Sequence, residues 1–79
     1  ADLPGVADVL LANILAGTLV DLRAELAARV RPGGALLLAG ILTVQAEAVT
    51  AAYKPWFDME ISGARDGWVA LRGARRQDR

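Results

Sequence analysis

The chain has 79 residues and contains neither histidine nor cysteine. That removes thiolate nucleophiles, disulfides, zinc sites of the usual kind and Ser-His-Asp catalysis together. Chemistry is left to amides, carboxylates, hydroxyls, guanidiniums and the ammonium of Lys54. Among these, Asn13 is the side chain best placed to meet a ligand. It closes the apolar run Val9 to Ala12, and open α/β sheets bind ligands outside the carboxyl ends of their strands. The competing reading is helix capping, since Asn is a preferred N-cap and a helix follows within a few residues. Gly40 lies near the carboxyl end of a second apolar run. It is either a small residue for packing or a bulge, or clearance for a ligand beside Asn13. Gln45 and Glu47 fall on the first turn of the following helix, where Glu47 gains from the helix dipole; Gln45 and Gly40 are the candidate substrate-pocket residues. The pair Gly33-Gly34 follows a helix and precedes a strand, the wrong order for a phosphate cradle, and reads as a turn. Asp58 and Glu60 alternate on one strand face and read as solvated, not as a catalytic carboxylate pair. Trp68 is expected to pack on the core from a hairpin.

The elements that would position these residues follow from periodicity. Residues 1–5, with Pro4 and Gly5, read as a loop into a first strand at about Val6 to Ala12. Its unbroken apolar run predicts burial on both faces. From Thr18 the spacing turns helical, with Leu19, Leu22, Leu26 and Val30 on one side, and Thr18 with Asp21 makes a partial capping box. Arg31-Pro32-Gly33-Gly34 stops that helix. Ala35 to Leu42 predicts a second doubly covered strand. Thr43 then caps a helix reaching about Tyr53, with Val44, Ala48, Val49 and Ala52 as its apolar face, and Pro55 ends it. Phe57, Met59 and Ile61 alternate with Asp58, Glu60 and Ser62, as in a strand at or near a sheet edge. Asp66-Gly67 is a hairpin turn, with a return strand from Trp68 to Arg72. The order β-α-β-α-β-β implies parallel strands with right-handed crossovers, then an antiparallel hairpin.

Composition narrows the classes of function. A hydrophobic fraction of 54% is too high for disorder, yet no apolar run approaches the roughly 20 residues of a membrane span. Nine basic and nine acidic residues cancel, so no global basic field invites nucleic acid. The one basic cluster, Arg72, Arg75, Arg76 and Arg79, reads as solvated at the C-terminal end, where residues 74–79 are expected to form a charged, flexible tail. The chain begins at Ala1 in mid-pattern, without an initiating Met or a signal-peptide pattern, which suggests a fragment. A chain this short buries only about 60% of its unfolded surface and is marginal unless assembled. A first strand without its neighbour would expose a backbone edge, which makes a noncatalytic half-domain that self-associates through that edge an alternative function.

Ala12-Asn13-Ile14-Leu15-Ala16-Gly17, Arg31-Pro32-Gly33-Gly34, Gly40-Ile41-Leu42 with Gln45-Ala46-Glu47, and Asp66-Gly67-Trp68-Val69 together resemble the carboxyl-terminal part of the ribosomal protein L11 methyltransferase family. These are bacterial enzymes dependent on S-adenosyl-L-methionine. The resemblance runs over essentially the whole chain. It implies an α/β, partial Rossmann-like class I methyltransferase fold with a parallel core and a C-terminal antiparallel hairpin. Residues 1–73 would supply strands four to seven of the catalytic domain. It also implies that Asn13, Ile14 and Leu15 form the acceptor motif, with Asn13 against both cofactor and target nitrogen. Related amino-methyltransferases carry Pro-Pro-aromatic after the Asp or Asn. Ile14-Leu15 lacks the aromatic face that stacks on a planar group, which favours an aliphatic amine. The implied partner is ribosomal protein L11, with no direct nucleic-acid or membrane contact, in the cytoplasm. The family's glycine-rich cofactor loop precedes strand four, so the fragment alone is expected to be inactive and not to bind the cofactor measurably. A methyltransferase of another small amine is the nearest alternative.

Overall fold

The computed structural model describes residues 7–77. The apolar runs and the alternating segment form β1 (Ala7–Ala12), β2 (Val30–Leu42), β3 (Phe57–Arg65) and β4 (Trp68–Arg75). They make one four-stranded sheet in the order β1-β2-β4-β3. β1 and β2 are parallel, and β4 is antiparallel to both β2 and β3. β3 therefore runs with β1 and β2 and lies at an edge, as its alternation predicts. Asp66 and Gly67 both take positive φ (51° and 82°) in the two-residue turn that joins β3 to β4, the geometry that suits a right-twisted hairpin.

Both crossovers travel the same way across the sheet, from β1 to β2 and from β2 to β3. Right-handed connections then deliver every helix to the same face. α1 (Ala16–Asp21), α2 (Arg23–Ala28) and α3 (Ala46–Tyr53) pack there on Leu36, Leu38 and Ile41 of β2, Val69 and Leu71 of β4 and Phe57 of β3. Leu19, Ala27, Val49 and Tyr53 are the helical side of this core, all buried. The expectation of strands buried on both faces is corrected by the same topology. In β1, Leu10 and Ala12 pack against the core, whereas Val9 is 55% and Leu11 73% exposed on the opposite face. In β2, Leu36 and Leu38 are buried but Ala35, Leu37 and Ala39 only partly so.

Other boundaries also shift. The first helix begins at Ala16, not Thr18, and breaks at Leu22 (φ −95°, ψ 12°) where Arg23 Nη1 turns back to donate to Val20 O at 2.8 Å. Val30 opens β2 instead of closing the helix. Arg31 to Gly34 do not form a free turn: Ala7 pairs with Val30 and Val9 with Ala35, so the four residues loop out of β2 opposite Asp8. Arg31 Nε donates to Asp8 Oδ1 at 2.9 Å across that loop. The expected flexible tail is corrected at its start. Ala74 and Arg75 belong to β4, and Arg76 donates to Lys54 O at 2.7 Å and to Asp58 Oδ1 at 3.0 Å. Guanidinium donors satisfying carbonyls left open at helix and strand ends hold this segment down. Arg79, Val6 and the loop over residues 1–5 lie outside the described residues. No helix among the described residues is long and apolar enough to cross a membrane.

Candidate functional site

Asn13 is the first residue beyond β1, and it is exposed. The capping reading fails: the N-cap of α1 is Leu15 (φ −60°, ψ 144°), with no side-chain bond to the helix. The carboxamide is directed elsewhere. A Cβ added to Gly40 would overlap Asn13 Oδ1, so the side chain of Asn13 occupies the space that any other residue at position 40 would fill. Of the two readings of Gly40, the bulge and close contact are what the structure shows, and the space beside it is taken by Asn13.

The backbone at Gly40 is shaped for this. Leu38 pairs with Leu71 and Ile41 with Val69, so Ala39 and Gly40 both face Ala70 in a β-bulge, with Gly40 at φ +76°. On the other side of β4 the register slips at the same level, Ile61 pairing with Leu71 and Gly63 with Ala70. The extra residue there, Ser62, donates its hydroxyl to Ala70 O at 3.3 Å. Bulges bend and twist a strand pair and re-aim side chains near sites. The two register shifts fall on either side of Ala70.

Gln45 closes the next turn. Its Oε1 accepts from Leu42 N–H at 2.9 Å, the reciprocal half of a capping box, and this replaces the expected cap by Thr43. The helix correspondingly starts as a 3-10 turn over Thr43–Gln45 before α3. Thr43 N–H donates to Gly67 O at 2.8 Å and ties the hairpin tip to this junction. Trp68 follows directly and is 51% exposed, not packed in the core as expected. The signal was present: Val69 and Leu71 are the buried set of β4 and Arg72 is exposed, so the period of two puts Trp68 with Arg72.

Leu15, Asp21, Gly40, Leu42, Gln45 and Trp68 line a cleft of about 500 Å³ at the carboxyl ends of the strands. A second, more apolar cleft of about 430 Å³ lies along the uncovered face, bordered by Leu11, Asn13, Leu37, Ala39 and Ala70. The Asn13–Gly40 contact contributes one member to each. Ile14 and Leu15 follow Asn13 and are both exposed. The structure thus brings Asn13 and Gly40 together and sets Gln45 and Leu15 on the neighbouring cleft. The larger cleft offers the Gln45 carboxamide, the Thr18 hydroxyl, apolar walls with Trp68 and, among the described residues, one carboxylate, Asp21.

Parallel strands joined by helices on one face, with an antiparallel hairpin at the far edge, define an open-sheet α/β protein, a class that binds ligands beyond the carboxyl ends of its strands. The family model described as Ribosomal protein L11 methyltransferase (PrmA) matches residues 2–76. A ribosomal protein L11 methyltransferase of Pseudomonas aeruginosa (strain LESB58) is 56% identical over 79 residues, covering 99% of this chain and 27% of that protein. One from Cupriavidus metallidurans is 52% identical over 68 residues, covering 86% and 22%. The crystal structure of a ribosomal protein L11 methylase from Lactobacillus delbrueckii subsp. bulgaricus superposes with a TM-score of 0.81 at 28% identity, over 95% of this chain and 40% of that one. The chain belongs to the ribosomal protein L11 methyltransferase family. It spans about a quarter of the length of the curated relatives it matches.

Proposed function

We propose that this chain forms the acceptor side of an S-adenosyl-L-methionine-dependent protein N-methyltransferase, a Rossmann-like class I domain of which it supplies strands four to seven. The observation that carries the reading is Asn13: an exposed carboxamide at a strand's carboxyl end, not used for capping and seated against Gly40. Asn13 is the residue of this chain that would lie against both cofactor and target nitrogen. S-adenosyl-L-methionine, when bound, supplies an electrophilic methyl group. What this chain adds is orientation. The Asn13 carbonyl accepts a hydrogen bond from the neutral amine, which aims the nitrogen lone pair away from Asn13 and toward the methyl carbon. The same dipole stabilises the positive charge that grows on nitrogen as the new bond forms. The reaction needs no nucleophilic side chain from the protein, in keeping with a chain without His or Cys.

Ile14 and Leu15 offer aliphatic surface, and Leu15, Leu42 and Trp68 wall a cleft suited to the methylene stem of an amine side chain. The names of the relatives point to ribosomal protein L11 as the substrate of the complete enzyme, and the proposal places the reaction in the cytoplasm. These residues alone are not expected to turn over. In a full-length protein carrying this segment, Asn13→Ala is expected to lower kcat about a hundredfold, the scale of losing one preorganised dipole at a reacting centre, with circular dichroism unchanged. Turnover within threefold of the parent would remove Asn13 from the mechanism.

A further inference from the structure

We propose that Gly40 is the positioning residue of the acceptor site, holding the Asn13 carboxamide in its working orientation through a bulge that only glycine can form there. The proposal rests on the role just assigned to Asn13, and goes beyond it by naming what sets that side chain. Two features bear on position 40: its backbone favours glycine, and an added Cβ would displace the end of the exposed Asn13 side chain. Its φ of +76° is a conformation that residues with a Cβ rarely adopt. A Cβ there would also overlap Asn13 Oδ1. Either feature alone has a structural explanation; together they couple the β2 backbone to the side chain at the end of β1.

The bulge is what makes the coupling rigid. Ala39 and Gly40 share the single partner Ala70 on β4, and Ala70 is braced from the other side by the slip in β3 and by the Ser62 hydroxyl on its carbonyl. Gly40 therefore cannot yield by sliding along β4. A side chain at position 40 must push Asn13 instead, and displacement of a reacting group's partner by about 1 Å can reduce turnover a hundredfold. The clearest control is Gly67. It has the same kind of backbone (φ +82°), with nothing within 4 Å of an added Cβ, so Gly67→Ala reports left-handed strain without a collision.

The test is a double-mutant cycle in a full-length protein carrying this segment, read by thermal midpoint and by steady-state kinetics. Gly40→Ala is expected to lower kcat at least tenfold while KM for the amine substrate and Kd for the cofactor stay within twofold. Gly67→Ala is expected to lower the melting temperature but keep kcat within twofold. The destabilisation by Gly40→Ala should exceed that by Gly67→Ala, and should fall to the same size when Asn13→Ala is already present, because the overlapping atom is then gone. Should Gly40→Ala alone fail to accumulate as folded protein, the Asn13→Ala, Gly40→Ala double variant is expected to fold. Equal melting shifts from Gly40→Ala in both backgrounds, a double variant less stable than Gly40→Ala alone, or a Gly40→Ala enzyme with kcat within twofold of the parent would overturn the proposal. If Asn13→Ala leaves turnover intact, the proposed function fails, and the melting cycle still decides whether Gly40 seats Asn13.

Discussion

Tyr53 illustrates how much a single buried polar atom decides. Its hydroxyl donates to Leu19 O at 2.7 Å, joining α3 to α1 across 34 residues, and α1 is the helix that starts immediately behind Asn13-Ile14-Leu15. Burial pushes its pKa up from 10.0 to about 12, partly opposed by the Arg23 charge. A raised pKa means that the fold favours the protonated phenol. The contribution is fully present below pH 10 and is lost as pH rises through 12, by roughly 2 to 3 kcal/mol in all. Denaturant midpoints across pH 8 to 12 should show that alkaline limb, and Tyr53→Phe should abolish it while costing about 1 kcal/mol at neutral pH for the lost hydrogen bond. A Tyr53→Phe variant with the same alkaline limb would locate the titration elsewhere. In the sequence Tyr53 is only the end of a periodic run, because an acceptor 34 residues away leaves no local trace. Asn13 was legible in position, since a polar residue closing an apolar run is a local pattern. Its freedom from capping was not, since the helix could have begun at any of several residues.

Elements were legible where one chemical rule governed them and not where two competed. The Asp66-Gly67 turn and the alternation of β3 obey single rules, and both stand. The Pro-Gly-Gly segment carries turn chemistry, yet β2 resumes its ladder beyond it and absorbs it as an excursion opposite Asp8. The paired bulges at Ala70 had no sequence signature beyond isolated glycines. The arginine-rich end was misread for a related reason, because charge predicts solvent exposure only when no orphan carbonyl lies in reach. Arg75 Nη1 donates to Val30 O at 2.8 Å and also to Ala27 O, and its guanidinium lies 6.0 Å from the Phe57 ring centroid. It thereby clamps the end of α2 and the start of β2 to the end of β4. Arg75→Met is expected to lower stability by about 2 kcal/mol, as for hydrogen bonds from a charged donor, with an unchanged m-value in urea. Arg65→Met, whose pairing with Asp66 at 3.9 Å is fully exposed, should change stability by less than about 0.5 kcal/mol. Equal effects of the two would mean that Arg75 acts as a surface charge and not as a clamp.

At the scale of the whole molecule, the decisive fact is that both crossovers deposit their helices on one side. An apolar strand run normally signals two covered faces, and the composition of β1 and β2 was read that way. The described residues cover one. Val9 and Leu11 remain exposed on the other face of an edge strand, beside the apolar cleft that also touches Leu37 and Ala70. Each of these side chains gains about 1.5 to 3 kcal/mol from burial, and the unpaired backbone of β1 offers a ladder to any strand that docks there. β3 is an edge too, but its exposed positions include Asp58 and Glu60, paired to Arg76 and Arg72, and charge blunts an edge. The isolated 79-residue chain is therefore expected to self-associate through β1, giving a concentration-dependent mass in light scattering. Val9→Lys with Leu11→Lys should shift it toward monomer, because two buried charges in a paired edge are costly, whereas Ile61→Lys on β3 should not. A chain that stays monomeric without the lysines, or that associates as strongly with them, would show that β1 is not the sticky edge. Of the two edges β1 exposes two large apolar side chains, Val9 and Leu11, against Ile61 alone on β3, and Asn13 directly follows β1. The apolar edge open to a neighbour and the residue proposed to orient the amine thus belong to one stretch of chain.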